Sequence, residues 1–265
     1  NMPKVVELYR HPVKSFTPER LDEIRVIDGK VQGDRVLAFR FADQGAPDDW
    51  SWRRKINFVA LSNSPGIALL ELRFDDKTRV LSMNYQDESF ASGSIDSDED
   101  RLKLSEAIGE YVTALDENPL VGHPERVPLN FIGDGRRGVF HDSEIGGVTL
   151  FSTESLQAFE SHTGNQVEGR RFRSNVVVEG VDAWDELTWA DRTTRVYIGD
   201  NEYKIDKSIV RCLATHANPV NGERDQEVMK TLISANGIQE PTFAVRLLPL
   251  DRETTIRVGD SVAIG

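Results

Sequence analysis

Only one side chain type in this sequence has no second copy: Cys212 is the single cysteine among 265 residues. It stands in Val210-Arg211-Cys212-Leu213-Ala214-Thr215, directly after an arginine. A neighbouring cation favours the thiolate, the form that binds soft metals and attacks electrophiles. The apolar, strand-like surroundings suit a buried and inert thiol equally well. A lone cysteine makes no disulfide, four-thiolate zinc site or iron–sulfur cluster within its own chain.

Three further motifs could handle an anion. In Tyr9-Arg10-His11-Pro12-Val13-Lys14-Ser15, Pro12 breaks a strand and leaves an ammonium and a hydroxyl at its exit, a pair that suits phosphate. Gly33-Asp34-Arg35 is a turn that launches a strand with a guanidinium able to grip phosphate or carboxylate with two hydrogen bonds. Arg170-Arg171-Phe172-Arg173-Ser174-Asn175 places three arginines ahead of the apolar run Val176-Val177-Val178. Each has an ordinary alternative: a solvated lysine, an Asp-Arg surface pair, arginines that balance nearby carboxylates.

Other chemistries lose their sequence handles. Gly133-Asp134-Gly135-Arg136-Arg137-Gly138 matches the dinucleotide fingerprint literally, but Val139-Phe140-His141-Asp142 follows instead of a helix whose N-terminus could hold pyrophosphate, so a loop is expected there. The five histidines, His11, His123, His141, His162 and His216, show no spacing that puts two imidazoles on one helical face. No Gly-x-Ser-x-Gly elbow or P-loop occurs.

The elements that must position these residues are mostly strands. Short segments rich in β-branched and aromatic residues at 5–9, 21–27, 35–41, 56–60, 67–72 and 78–83 are separated by Pro or Gly punctuation. The Ser- and acid-rich tract 86–100 reads as a solvated loop or loose hairpin, and Ala107, Ile108, Tyr111, Val112 and Leu115 recur at helical spacing. Residues 119–147, rich in Pro, Gly and charge, mark the expected boundary between units at 1–118 and 119–265. The second unit reads as strands at 147–151, 172–179, 193–198, 202–206, 242–248, 254–258 and 261–264, with helices from Thr153 to Gly164 and from about Glu223 to Ile233. Clean βα alternation is absent, which disfavours a doubly wound sheet and favours a β-barrel with a few covering helices.

Composition narrows the partners. A net charge of −12 opposes non-specific binding to nucleic acid. No apolar run approaches the roughly 20 residues that span a bilayer, and no leader precedes the first strand, so neither a membrane nor export is expected. The unpaired thiol points to the cytoplasm. Asn1, ahead of Met2, reads as a leftover of expression and is set aside.

Taken in this order, the motifs resemble the MOSC family, named for the C-terminal domain of molybdenum cofactor sulfurases, together with its N-terminal β-barrel partner. Tyr9 to Ser15 is similar to the family's Tyr-Pro-Val-Lys-Ser motif, and Gly33-Asp34-Arg35 to its Gly-Asp-Arg turn. Ser152-Thr153 looks like its Ser-rich helix start and Arg171-Phe172-Arg173-Ser174-Asn175 like its Arg-Phe-Arg-Pro-Asn segment. Arg211-Cys212 looks like its Arg-Cys motif, and Val258-Gly259-Asp260 like its closing turn. The resemblance covers nearly the whole chain and implies a mainly β, α+β fold: a MOSC-type β-barrel preceded by a smaller β-barrel-like domain.

It also implies a function. The expected activity is that of an oxidoreductase that reduces N-hydroxylated small molecules with a molybdenum-pyranopterin cofactor. By this resemblance Cys212 is the catalytic residue and molybdenum ligand, while Lys14, Ser15, Arg35, Ser152, Thr153, Arg173 and Asn175 hold the pterin and its phosphate. The resemblance further associates the family with pyridoxal phosphate binding. With one cysteine and no cluster domain, the chain needs a separate electron-transfer protein of ferredoxin or flavin type. Ser174 replaces the family's proline, Ser208 a cysteine often found four positions before the ligand, and His216 a threonine; His216 is expected to alter the site's polarity or its substrate. From another class, Cys212 could carry a persulfide in sulfur transfer. A cofactor-free scaffold is opposed by the retained Lys14, Arg35, Arg173 and Cys212.

Overall fold

The structure is a computed structural model, which describes residues 2–192 and 195–265. Asn1 and the first two residues of the strand expected at 193–198 lie outside the described residues. The elements run in the order β1 (Lys4–Arg10), β2 (Glu19–Leu21), β3 (Glu23–Ile27), β4 (Lys30–Val31), β5 (Ala38–Arg40), β6 (Leu70–Asp75), β7 (Val80–Tyr85), β8 (Glu88–Ser94), α1 (Asp98–Thr113) and β9 (Asn130–Ile132). They continue as β10 (Val148–Ser152), α2 (Thr153–Thr163), β11 (Val176–Glu179), α3 (Trp189–Arg192), β12 (Arg195–Ile198), β13 (Asn201–Val210), α4 (Val228–Asn236), β14 (Thr242–Pro249), β15 (Glu253–Arg257) and β16 (Val262–Ile264). The class is α+β with strands predominating, as expected.

The main sheet has eight strands in the order β16-β12-β13-β14-β10-β11-β1-β2. Its ladders do not close into a ring, since β16 and β2 end the order. Backbone bonds nevertheless bring the approach to β16 onto β1: Val5 N–H donates to Asp260 O, Gly259 N–H to Val5 O and Val262 N–H to Pro3 O, each at 2.8 Å. The β-branched residues Val5, Val148, Val176, Val178, Val196 and Val245 pack inside this curved sheet, with Trp189 and Tyr203. β3 pairs with β15 over five residue pairs and adds Ile24, Val26 and Ile256 to the same core. Strands from before residue 118 thus pair with strands from after it.

A second core gathers Phe16, Phe39, Leu72, Met83, Leu104, Ile108 and Phe131 around the β6-β7-β8 meander and α1. α1 starts where Ser97 caps it, its hydroxyl accepting from Asp100 N–H at 3.2 Å, and three acids in the first turn complement the helix dipole. Of the two alternatives for the tract 86–100 the hairpin is observed, with β8 as its second arm, and the tract's last three residues begin α1. Its Ser and acid content belongs to an exposed hairpin arm and a capping turn.

Other expectations shift in ways that shape the site. Residues 35–41 yield only the three-residue β5, because the amides of Arg35, Val36 and Leu37 bond to the carbonyls of His11 and Pro12 in the loop leaving β1. Residues 56–60 hold a single 3₁₀ turn, Lys55–Asn57, and an isolated bridge from Phe58 to Arg40 instead of a strand. Residues 67–72 begin as the 3₁₀ turn Pro65–Leu69, and 172–175 precede a strand that starts only at Val176. The helix expected from Glu223 begins at Val228. No helix follows the glycine loop before β10, in keeping with the loop reading of Gly133 to Gly138.

Candidate functional site

A cleft of about 690 Å³ collects residues from both ends of the chain: Lys14, Ser15, Arg35, Arg173, Asn175 and Cys212 all line it. Its wall carries eight basic side chains against three acidic ones, inverting the sign of the net acidic chain. Such a concentration of cations in a concave wall selects an anion.

The floor is built around Asp34, which is fully buried. Arg35 Nη1 donates to both Asp34 oxygens, at 2.8 and 2.7 Å, and Arg35 Nη2 reaches the Arg173 carbonyl at 3.3 Å. The His11 amide donates to Asp34 Oδ1 at 2.6 Å, and His141 Nε2 lies 3.2 Å from Oδ2. Burial pushes the Asp34 carboxyl up, but Arg35 and its hydrogen bonds outweigh this and hold it well below the carboxylate range. Asn175, also buried, spends its amide on the Tyr9 carbonyl at 3.1 Å and Asp34 at 3.4 Å, so it braces the floor. Lys14 is buried and donates to the Phe140 carbonyl at 2.8 Å and to Asp142 at 2.7 Å.

Three of these residues hold left-handed backbone: Ser15 at φ 70°, Arg35 at φ 50° and Arg173 at φ 51°. For a side chain with a Cβ this costs roughly 1–3 kcal/mol each, and such strain persists where surrounding structure demands it. Burial, followed by repulsion from Arg35, presses Arg173 down to about 9, and burial presses Arg211 down to about 10. Arg173 Nη2, Arg211 Nη2 and Arg171 Nε are buried without hydrogen-bond partners among the described residues. An anion in the cleft would relieve both costs.

The lip holds the thiol. Cys212 follows β13, whose ten-residue length carries the chain out to the cleft, and Lys55 Nζ donates to its Sγ at 2.9 Å. Lys55 also pairs with Asp142 at 3.3 Å, and Asp142 bridges to Lys14 at 2.7 Å. Desolvation pushes the Asp142 carboxyl up, yet Lys14, Lys55 and Arg35 hold it well below its usual range. Burial pulls the Lys55 ammonium down, but Asp142 and Cys212 raise it on balance. Asp142 is 63% exposed, so an incoming anion can compete with it for both ammoniums.

Not every expected residue arrives. Ser152 is buried under α2, its hydroxyl bonded to Glu186 and to Ser155, and Thr153 faces a separate pocket beside Tyr9 and Glu168. The His216 ring turns to the start of α4, accepting from Met229 N–H at 3.3 Å, and does not line the cleft. It stands in for a helix cap rather than setting the site's polarity. Ser208 lines the cleft, whereas Ser174 borders the separate pocket. Lys55 and Asp142 were not anticipated. Lys55 is 157 residues from Cys212 and sits in an unremarked Arg53-Arg54-Lys55 run, and Asp142 in the segment after the glycine loop.

The donor set suits a group that combines a soft centre with an anionic tail: one thiol at the lip, guanidinium and ammonium groups along the floor. Among the described residues no cluster of three or more His, Cys, Asp or Glu could hold a bare metal ion. A metal here would have to bring its remaining ligands with it. The fold and site together define a thiol-bearing, cation-lined cleft set against the eight-stranded sheet.

Residues 137–263 match the MOSC domain family. The chain is similar to mitochondrial amidoxime-reducing component 1 of Mus musculus, 30% identical over 129 residues that cover 45% of this chain and 37% of that protein. It is likewise similar to mitochondrial amidoxime reducing component 2 of Rattus norvegicus, 35% identical over 125 residues, covering 43% and 36%. Molybdenum cofactor sulfurase of Caenorhabditis briggsae is 25% identical over 139 residues, covering 52% and 18%. The matched segment thus spans little more than a third of either reductase component. Among solved structures, the YuaD protein of Bacillus subtilis aligns over 99% of this chain and 94% of its own, with 12% identity and a TM-score of 0.43. No helix among the described residues is long and apolar enough to cross a membrane.

Proposed function

We propose that this chain binds a molybdenum-pyranopterin cofactor through Cys212 and reduces N-hydroxylated small molecules with electrons from a separate protein. The observation that carries this reading is the thiol at the lip of a cation-lined cleft in which Arg171 Nε, Arg173 Nη2 and Arg211 Nη2 lack partners among the described residues. Cys212 would hold the metal, and Lys14, Ser15, Arg35 and Arg173 the cofactor's phosphate, with Asn175 and Asp34 bracing them. Ser152 and Thr153 would act only by supporting the strand and helix behind the site. The bound cofactor supplies the two-electron redox chemistry that removes oxygen from nitrogen. Conversion of an N–OH to an N–H consumes two electrons and two protons and releases water, which is why a separate ferredoxin- or flavin-type donor is needed. An unpaired thiol fits a reducing compartment such as the cytoplasm.

Co-expression with cofactor-synthesis genes, followed by metal and pterin analysis, tests this. Near-stoichiometric molybdenum that disappears in Cys212→Ser is the expected result. Full metal in that variant would overturn the reading. A second reading, sulfur transfer by a Cys212 persulfide, is favoured by the half-open thiol beside Lys55, whose ammonium would stabilise a persulfide anion. Intact mass before and after a thiol reductant separates the two, since only the carrier gains one sulfur.

A further inference from the structure

The separate pocket beside Tyr9 and Glu168 is a cavity of about 210 Å³ that shares a single residue, Arg173, with the cleft. Part of its wall is a row across three neighbouring strands: Glu7 of β1 pairs with Val177 of β11, and Val177 with Phe151 of β10. Side chains opposite one another in such a row share one face of the sheet. Leu156 of α2 and Gly169 and Arg170 of the following 3₁₀ turn complete the lining. A concavity with apolar sides and a few polar groups, held on regular elements, is the usual form of a small-molecule site.

The polar groups are unspent. Ser174 and His11 are 3% and 1% exposed, and both line this cavity and not the cleft. Ser174 Oγ, His11 Nδ1 and Arg173 Nη2 are buried without hydrogen-bond partners among the described residues. His11 turns Nδ1 toward Asp34, 3.6 Å from Oδ1, and burial, then Arg35 and Arg173, keep the ring neutral. Two donors therefore remain to be satisfied, the Ser174 hydroxyl and the Arg173 guanidinium. Each bears a desolvation cost that an acceptor would offset.

The other charges of the lining are matched. Glu168 pairs with Arg170 at 3.5 Å, and Glu7 accepts from the Tyr9 hydroxyl at 2.7 Å and lies 3.8 Å from Arg20. Arg173 alone of the lining charges enters no ion pair among the described residues. A hydroxyl beside a guanidinium suits a carboxylate, and the two glutamates favour one negative charge over a dianion. We propose that this cavity is a second ligand site, for a small monocarboxylate with an apolar body. Its carboxylate accepts from Arg173 Nη2 and Ser174 Oγ, and its body lies along Phe151, Leu156 and Val177. The site is independent of Cys212 and of the proposed function.

Titration calorimetry with benzoate, its neutral counterpart benzamide and inorganic phosphate tests it. Benzoate should bind the wild-type chain more tightly than benzamide does. Ser174→Ala should weaken benzoate about tenfold through loss of a hydrogen bond to a charged group. Leu156→Phe, which fills the cavity, should abolish benzoate binding. Both variants should keep the wild-type affinity for phosphate, since neither residue lines the cleft. Benzoate that fails to bind the wild-type chain, or that binds it and both variants alike, overturns the site and leaves the reading of Cys212 untouched. Equal affinity for benzoate and benzamide overturns the carboxylate as its ligand.

Discussion

The floor and the lip of the cleft are held in different ways. The floor, Lys14, Asp34, Arg35, Arg173 and Asn175, is largely buried, strained in backbone at Arg35 and Arg173, and bonded to carbonyls from three separate segments. The lip, Lys55, Asp142 and Cys212, is joined by side-chain contacts alone and stands partly in solvent. A rigid floor can fix an anion in one pose without reorganising when it binds. A loose lip can exchange its internal partners for a ligand. The contrast suits a cofactor whose tail is anchored and whose reactive end stays accessible.

Substitutions can break or sharpen this contrast. Cys212→Ser has the largest expected effect, complete loss of molybdenum loading with phosphate affinity retained, since the floor does not depend on the thiol; elemental analysis and calorimetry read the two. Asp34→Ala strikes the floor and leaves the Arg35 guanidinium without its buried partner. Denaturant unfolding should show a loss of about 3–5 kcal/mol, with phosphate affinity falling as well. Lys55→Met strikes only the lip, removing its bonds to Cys212 and Asp142, and denaturant unfolding should show a stability change of less than about 1 kcal/mol.

Acidification should weaken the floor gradually. Burial, then repulsion from Arg35 and Arg173, holds His11 well below the ordinary histidine value, so the folded chain keeps it neutral. Below about pH 6.5 the unfolded chain binds a proton there that the folded chain refuses, and stability falls as pH drops. The depressed Asp34 adds stability that is present above about pH 3.9 and is lost at still lower pH. Thermal unfolding from pH 7.5 to 5 should show the first decline, and His11→Asn should flatten it.

Much of the fold was legible where one face of an element had to be buried. β10, β11 and β14 read as strands because their apolar runs have no other use, and α2 announced its stop at Gly164. The failures cluster where tertiary bonding overrides propensity. Arg35 to Leu37 look like strand but bond to the loop after β1, and Lys55 to Asn57 form a single turn under the cleft. The cationic side chains of Lys14, Arg35 and Arg173 were visible as polar residues at strand ends. Ser152 and Thr153 were visible too, as a helix start, yet their hydroxyls serve the helix and its neighbours.

By itself the sequence determined that the only thiol is Cys212, that cations stand at several strand exits, and that strands dominate, since residue identity and period-two burial are local properties. Only the tertiary structure decided that Lys55 meets that thiol, that Asp142 pairs with Lys55, and that Ser152 and His216 turn away. Those outcomes depend on loops brought together across more than a hundred residues, and on which buried group each donor must satisfy, neither of which has a local signature.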